Sequence, residues 1–120
     1  MADKKIFAVK GAAVPQDASA DYEAAQVFDK VRVGRLGVYY RDGFRTKIVP
    51  YDYMDRAFIR VQEVRGRMCC GETTFAYFRL VFVHGSKEIA DVISENEQAM
   101  DDALACIQEL APQVAIGFTA

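Results

Sequence analysis

The sequence predicts an α+β domain, in which an antiparallel strand meander forms a bent sheet or partial barrel that a C-terminal amphipathic helix closes. Three observations carry this prediction. Apolar and polar residues alternate with a period of two through much of residues 31–93. Asp42-Gly43 and Gly85-Ser86 are turn signals between the alternating runs. A stripe of apolar residues at helical spacing then occupies residues 100–111.

Residues 1–30 carry the weakest signals of the chain. They predict, in order, a short strand over 6–9, a turn over 11–15 and a helix over 20–30. Asp17 or Ser19 is the expected cap of this helix, because their side chains can accept from its free backbone amides. The alternative is a mobile N-terminal arm.

Five strands are predicted after residue 30, over residues 31–40, 44–49, 57–68, 73–84 and 87–93. The first has a break near Gly34, and Asp42-Gly43 predicts a type I′ hairpin turn. After that turn, alternation directs Phe44, Thr46 and Ile48 to the core and Arg45 and Lys47 to solvent.

The remaining strands differ from one another in their apolar pattern. Pro50 ends the strand over 44–49, and a turn over 51–55 follows. Val64 is out of phase with Ile59 and Val61, which predicts a bulge at Gln62-Glu63. Residues 73–84 are apolar on both faces after Arg79, as is typical of a central strand.

The predicted helix begins with a capping-box pattern, since Ser94 lies three residues before Glu97. Its apolar stripe consists of Met100, Leu104, Ile107 and Ala111, widened by Ala103 and Leu110, and Pro112 stops it. Asp101 and Asp102 lie off this stripe. We therefore expect a helix that packs on the sheet and exposes an acidic face.

Length and composition indicate a single domain over residues 1–120. Of the 120 residues 52% are hydrophobic, which is enough for one core. Charged residues make up 27% and the net charge is −2, as in an ordinary water-soluble protein, so bulk charge does not favour a nucleic-acid partner. No apolar stretch is long enough to span a membrane, and the odd count of three cysteines predicts a reducing cytoplasm.

The order of elements resembles that of a small bacterial pleckstrin-homology-like (PH-like) domain of the PH or GRAM type. The pattern accounts for five or six of the seven strands of such a barrel. The residues that carry the resemblance are Leu36-Gly37-Val38-Tyr39-Tyr40, the Asp42-Gly43 hairpin, Ile48-Val49-Pro50-Tyr51 leading to Met54, Val83-His84-Gly85 and the helix from Ser94. Such domains bind phosphoinositides, peptides or proteins, so the resemblance implies a non-enzymatic binding or assembly module.

Charge is segregated along the chain, and this suggests where a partner binds. Residues 30–67 contain ten bases and four acids, whereas residues 88–109 contain seven acids and no base. A basic strand face is therefore the candidate site for a protein or an anionic ligand: Arg35, Tyr39, Arg41, Arg45 and Lys47. Contact between this face and the acidic helix of another copy, at Asp101 and Asp102, would give a homo-oligomer.

Two other classes of function stay open. Tyr39 and Tyr40 among arginines have the composition of a surface that stacks bases, so a single-stranded nucleic-acid binder is one alternative. Many such charge runs are only solvated surface. A small enzyme is the other alternative, although no catalytic residue, cofactor or metal site is predicted. His84 is the single histidine, and Cys69, Cys70 and Cys106 lack the paired spacing of a zinc site or a disulfide framework.

Overall fold

The computed structural model describes the backbone of residues 5–68 and 71–116 and, in those ranges, the side chains outside 64–68 and 72–75. The elements in chain order are β1 Ile6–Ala8, α1 Ala18–Ala24, β2 Gln26–Phe28, β3 Val31–Val33, β4 Gly37–Asp42, β5 Arg45–Pro50, β6 Arg56–Met68, β7 Gly71–His84, β8 Lys87–Ser94, α2 Glu97–Leu110 and β9 Ala115–Ile116. Neither helix of this described part is long and apolar enough to cross a bilayer.

The strands form two sheets, and the predicted α+β architecture with a C-terminal helix is confirmed. The first sheet has the order β1-β5-β4-β3-β2, in which β2 to β5 are an antiparallel meander and β1 joins β5 in parallel. The second sheet has the order β8-β7-β6-β9, and β7 is central between β6 and β8 as predicted. Over the residues described, the two sheets do not close into a barrel.

The core lies between the sheets and against α2. It includes Val31, Val33, Val38 and Val49 from the first sheet, Ala57, Leu80, Phe82 and Val92 from the second, and Met100, Ala103 and Ile107 from α2. The helix stripe is therefore confirmed, although Leu104 is half-buried and Leu110 is 43% exposed. Burial of this stripe, rather than helix propensity, is what holds α2 in place.

The start of α2 differs from the capping-box prediction. The N-cap is Asn96, whose side-chain oxygen accepts from the Ala99 amide at 3.0 Å. Ser94 ends β8 instead; its hydroxyl accepts from the Asn96 amide and donates to the carboxylate of Asp29. The capping box is wrong because pairing of Ser94 with Phe78 extends the strand to that residue.

The predicted helix over residues 20–30 is correct only in its first part. The helix ends at Ala24, and residues 26–28 form β2, which pairs antiparallel with β3. Asp29 then has a positive φ of 54°, a value that an α-helix does not tolerate. Asp17 occupies the N-cap position without a side-chain cap bond, and Phe28 packs against the core. Pairing between strands thus overrides the helical spacing of Ala24, Ala25 and Phe28.

The β4–β5 hairpin exists, but its turn is one residue later than predicted. Asp42 pairs with Arg45, so Gly43 and Phe44 are the central residues. Gly43 has φ of 63°, and Phe44 is not among the residues with positive φ. This is the pattern of a type II′ turn rather than type I′. Phe44 consequently lies at the tip and is 98% exposed, instead of facing the core, whereas Thr46 and Ile48 are buried as predicted.

Two details of the longer strands also differ from the sequence pattern. The predicted run over residues 31–40 is two antiparallel strands, β3 and β4, that meet at the break near Gly34. The bulge at Gln62-Glu63 is wrong, because β6 and β7 pair without a register shift from Arg56 opposite Val83 to Met68 opposite Gly71. The irregularity lies instead in the β7–β8 ladder, between Phe82 and Val83.

Candidate binding groove

The five residues of the predicted basic strand face do not form one patch. Arg35 lies in the turn between β3 and β4, whereas Arg41, Arg45 and Lys47 surround the β4–β5 hairpin at the other end of β4. A strand of six residues is about 20 Å long at about 3.3 Å per residue. Arg35 is therefore too far from the other three cations to share a small ligand with them.

Tyr39 has a structural role in the centre of the first sheet. Its side chain is fully buried against Ala18 of α1, and its hydroxyl donates to the Asp21 carboxylate at 2.6 Å. Burial, followed by the bond to Asp21, raises the pKa of Tyr39 well above its ordinary value. The ring is therefore closed to an outside ligand, which removes one of the two tyrosines of the nucleic-acid hypothesis.

Asp21 connects α1 to the sheet through three hydrogen bonds. Besides the Tyr39 hydroxyl, its carboxylate accepts from the backbone amides of Arg35 at 2.8 Å and Leu36 at 3.0 Å. A Cβ at Gly34 would lie 2.3 Å from this carboxylate, so only glycine allows the close approach. The helix α1 thus covers the part of the first sheet's outer face around Tyr39 and Ile48.

The cations near the hairpin differ in how far they are already occupied. Lys47 pairs with Asp42 at 2.8 Å, and that hydrogen bond and charge lower the pKa of the Asp42 carboxyl. The guanidinium of Arg45 lies 4.8 Å from the centre of the Phe7 ring. Arg41 is exposed and, among the residues that the structure describes, makes no ion pair. Arg41 is the member of the predicted set with the most freedom to bind an anion.

The main concave surface near Arg41 is a groove between the edge strands of the two sheets. Its volume is about 580 Å³, within the range of about 300–1,000 Å³ that is usual for ligand pockets. A second depression of about 630 Å³ shares Asp29, Lys30 and Ile93 with it. The groove is lined by Tyr22, Val27, Asp29, Lys30, Val31, Arg32, Tyr39, Tyr40, Arg41, Thr46, Asp91, Val92 and Ile93.

The two strands beside the groove have apolar side chains in solvent and free backbone edges. Val27 of β2 is 55% exposed and Ile93 of β8 is 41% exposed. In the described part of the chain, β2 pairs with β3 alone and β8 pairs with β7 alone. Unpaired amides and carbonyls along such an edge are able to bind another strand.

Tyr40 supplies a hydrogen-bond donor inside the groove. It is half-buried, and burial together with the carboxylates of Asp42 and Asp91 raises the pKa of Tyr40 to about 12. The phenol is therefore protonated at neutral pH and able to donate.

Most of the other charges in the groove are engaged within the chain. Arg32 donates to the Tyr22 carbonyl at 3.2 Å and lies 4.1 Å from the centre of its ring. Asp91 pairs with Arg79 at 2.8 Å, and Asp29 accepts from Ser94. Among the described residues, Lys30 and Arg41 are exposed cations of the groove without an ion pair. The groove therefore combines apolar edges with positive charge that is available to a ligand.

The residues considered for catalysis or metal binding lie elsewhere. His84 is exposed, stacks on Tyr53 with ring centres 3.9 Å apart, and its Nδ1 lies 2.6 Å from the Tyr53 carbonyl. Cys106 is a free, half-buried thiol whose pKa is raised by burial, whereas Cys69 and Cys70 lie outside the described residues. Over the described part, no group of three or more potential metal ligands comes together.

Sequence reasoning missed Val27, Lys30 and Ile93 as groove residues. Val27 and Lys30 fell within the predicted helix, and Ile93 was treated only as the end of a strand. The available signal was Asp29-Lys30, a turn pair between the apolar pair Val27-Phe28 and the alternating run Val31-Arg32-Val33. That β2 and β8 face the same groove is not readable from the sequence, because more than fifty residues separate them.

Residues 12–120 match the family model described as Domain of unknown function (DUF6709), so the chain belongs to that family. No curated protein and no solved structure matches the chain.

Proposed function

We propose that this DUF6709 domain is a non-enzymatic binding module whose groove between β2 and β8 holds an extended polypeptide segment with an acidic side chain. The observation that supports this most directly is that two edge strands, each with an exposed apolar residue, lie on either side of a groove of about 580 Å³. A peptide in extended conformation satisfies such edges through its main chain and uses alternate side chains for specificity.

The side chains of the groove favour one kind of peptide. Val27 and Ile93 are suited to an apolar side chain, since their exposure would fall on binding. Lys30 and Arg41 have no ion pair within the described chain and are suited to a carboxylate, while the Tyr40 phenol is a neutral donor. An acidic side chain next to an apolar one therefore matches the groove better than a basic segment.

The resemblance to PH-like domains is consistent with this proposal. The structure has a four-stranded antiparallel meander, a three-stranded one and then a helix, which makes seven strands in the order of such a domain; β1 and β9 are additional. Element order supports a binding function by analogy only, because one fold serves many functions.

The proposal is tested by selecting peptides from a random displayed library on the wild-type protein and measuring their affinity by calorimetry. We expect acidic-apolar sequences, and we expect Val27→Asp and Arg41→Glu each to weaken binding by at least about tenfold, or about 1.4 kcal/mol. The matched controls are Phe44→Asp and Lys87→Glu, exposed residues outside the groove. Peptides that bind the groove variants as tightly as the wild type would disprove this function.

Self-association through charge is a second candidate, favoured by the exposure of Asp101 and Asp102 on α2 and of Arg45 on β5. Its support is reduced because Lys47 is already paired with Asp42. Reversal of Arg45 and Lys47 to glutamate should weaken such an oligomer, and lysines at 101 and 102 should restore it in sedimentation experiments. Sedimentation as a monomer at every salt and protein concentration would exclude this candidate.

A further inference from the structure

In the part of the chain that the structure describes, the outer half of the β6–β7 hairpin is a two-stranded ribbon without support from a third strand. The ladder between β6 and β7 continues to Met68 opposite Gly71, but β8 accompanies β7 only from Phe78 onward. On the other side, β9 meets β6 at Arg56 and Ala57 alone. Residues 62–77 are therefore paired only with each other in the described part of the chain.

Such a ribbon is a place where another strand is expected. An isolated two-stranded hairpin is marginally stable in water, and three strands are needed for independent stability. An exposed edge is also a template for pairing. Val61, at the base of the ribbon, is 53% exposed.

Of the two edges of the ribbon, that of β6 is the more open. Among the residues that the structure describes, no strand pairs with this edge from residue 58 to residue 68, whereas the unpaired part of the β7 edge is residues 71–77. The chain between β8 and α2 lies beside the end of this shorter edge, because Glu95, Asn96 and Tyr77 line the same depression. A partner strand would therefore bind along β6.

We propose that the partner on this edge is the β6 strand of a second copy, paired antiparallel about a two-fold axis at Val64. In a two-fold antiparallel pair one residue lies opposite itself, so each register is defined by its central residue. With Val64 at the centre, Glu63 of one copy lies opposite Arg65 of the other, and this pairing occurs twice. The result is one continuous sheet through both molecules.

The neighbouring registers are disfavoured by charge. A register centred on Glu63 places two glutamate positions opposite each other, and one centred on Arg65 places two arginine positions opposite each other. Opposite charges across strands stabilise pairing and like charges destabilise it. The pattern Glu63-Val64-Arg65 is thus self-complementary in one register. A two-fold interface requires such self-complementarity, whereas binding of an unrelated partner does not.

The first test is a charge cycle in the full chain, followed by analytical ultracentrifugation at low and high salt. We expect a wild-type dimer, weakened at least about tenfold by Glu63→Arg or by Arg65→Glu, because each turns two opposite-charge pairs into like-charge pairs. The double variant E63R/R65E should restore association. Glu23→Arg, an exposed residue on α1, is the matched control and should leave the dimer unchanged.

The second test measures the register itself, in a variant whose three native cysteines are replaced by serine. Val64→Cys should form an intermolecular disulfide on mild oxidation, since directly opposite residues have Cα atoms about 4.5–5.5 Å apart. Gln62→Cys should not, because its two copies would be about 14 Å apart along the strands.

These outcomes decide the proposal without reference to the groove. A monomeric wild-type protein at the highest concentration, or a double variant that associates no better than the single ones, would overturn it. Equal cross-linking of the two cysteine variants would overturn the register. Circular dichroism of all variants shows whether loss of association reflects loss of fold. Peptide binding in the groove involves none of these residues, so failure of either proposal is recognised separately.

Discussion

The outer faces of the two sheets are protected in different ways. On the first sheet, α1 covers Tyr39 and Ile48, and a partly buried hydrogen-bond network around Asp21 connects the helix to β4 and to the turn before it. On the second sheet, Phe58 and Val81 are buried cross-strand partners outside the two apolar clusters of the fold. The Arg60 guanidinium lies 5.4 Å from the centre of the Phe58 ring. The same sheet carries the ion pairs Arg60–Glu88 and Arg79–Asp91.

The second sheet is where part of the acidic segment 88–109 is neutralised within the molecule. Arg60 of the basic segment 30–67 pairs with Glu88 of the acidic segment 88–109, and Arg79 pairs with Asp91 of the same acidic segment. Two acids of that segment are thus engaged within the molecule. Because exposed ion pairs contribute little and hydrogen bonds to a partly buried carboxylate contribute more, the two faces should respond differently to substitution.

The largest effect is expected at Asp21. Asp21→Ala removes the acceptor of the Leu36 amide and the nearer of two acceptors of the Tyr39 hydroxyl, which also lies 3.3 Å from the Ala18 carbonyl. The free energy of unfolding should therefore fall by about 2 kcal/mol. Chemical denaturation measures this change. Glu23→Ala, an exposed acid on the same helix, is the control and should change stability by less than about 0.5 kcal/mol. A similar small loss at both positions would mean that the network does not hold α1.

A smaller effect is expected at Arg79. Its ion pair with Asp91 is partly exposed, with 31% and 40% of the side-chain surfaces accessible, so Arg79→Ala should cost about 0.5–1 kcal/mol. The loss should shrink as salt is added, because screening weakens the pair in the wild type. The measurement is the denaturation midpoint of both proteins over a salt series. If Arg79→Ala lowered the free energy of unfolding as much as Asp21→Ala does, independently of salt, the two sheet faces would not be stabilised by different interactions.

The smallest effect is expected in the acid dependence of the Arg60–Glu88 pair. The bond to Arg60 lowers the pKa of Glu88 below its ordinary value of 4.5. A carboxyl with a lowered folded pKa stabilises the fold above its unfolded pKa, and this stability is lost as the pH falls through the folded pKa. The melting temperature of Arg60→Ala should therefore approach that of the wild type below pH 4.5. A constant difference down to strong acid would contradict this assignment.

Comparison of the predicted and observed elements shows which signals are local. The strand over 44–49, the central strand, Pro112 and the helix stripe were predictable, because period and turn chemistry depend on residues within a few positions of one another. The exchange of helix for strand at residues 26–28 was not, since it depends on pairing with β3. The position of Phe44 depended on which residues paired across the turn, and a shift of one residue there reversed its face.

The candidate site was less accessible to sequence reasoning than the fold. Arg41 was identified because it belongs to a run of bases beside the Asp42-Gly43 turn signal. Tyr39 was included among the ligand-binding residues because it stands among arginines in the sequence, and that spacing does not show whether a helix covers the ring. Asp21 lies eighteen residues before Tyr39, and its three hydrogen bonds have no counterpart in spacing or composition.

By itself the sequence determined the class of fold and the amphipathic helix, because each follows from the order of neighbouring side chains along the chain. Only the tertiary structure decided that β2 and β8 border one groove, that Asp21 anchors Tyr39 and that β6 extends past its neighbouring strands. The physical reason is that these features depend on contacts between distant segments. Their free energies belong to the packed molecule and not to any window of the chain.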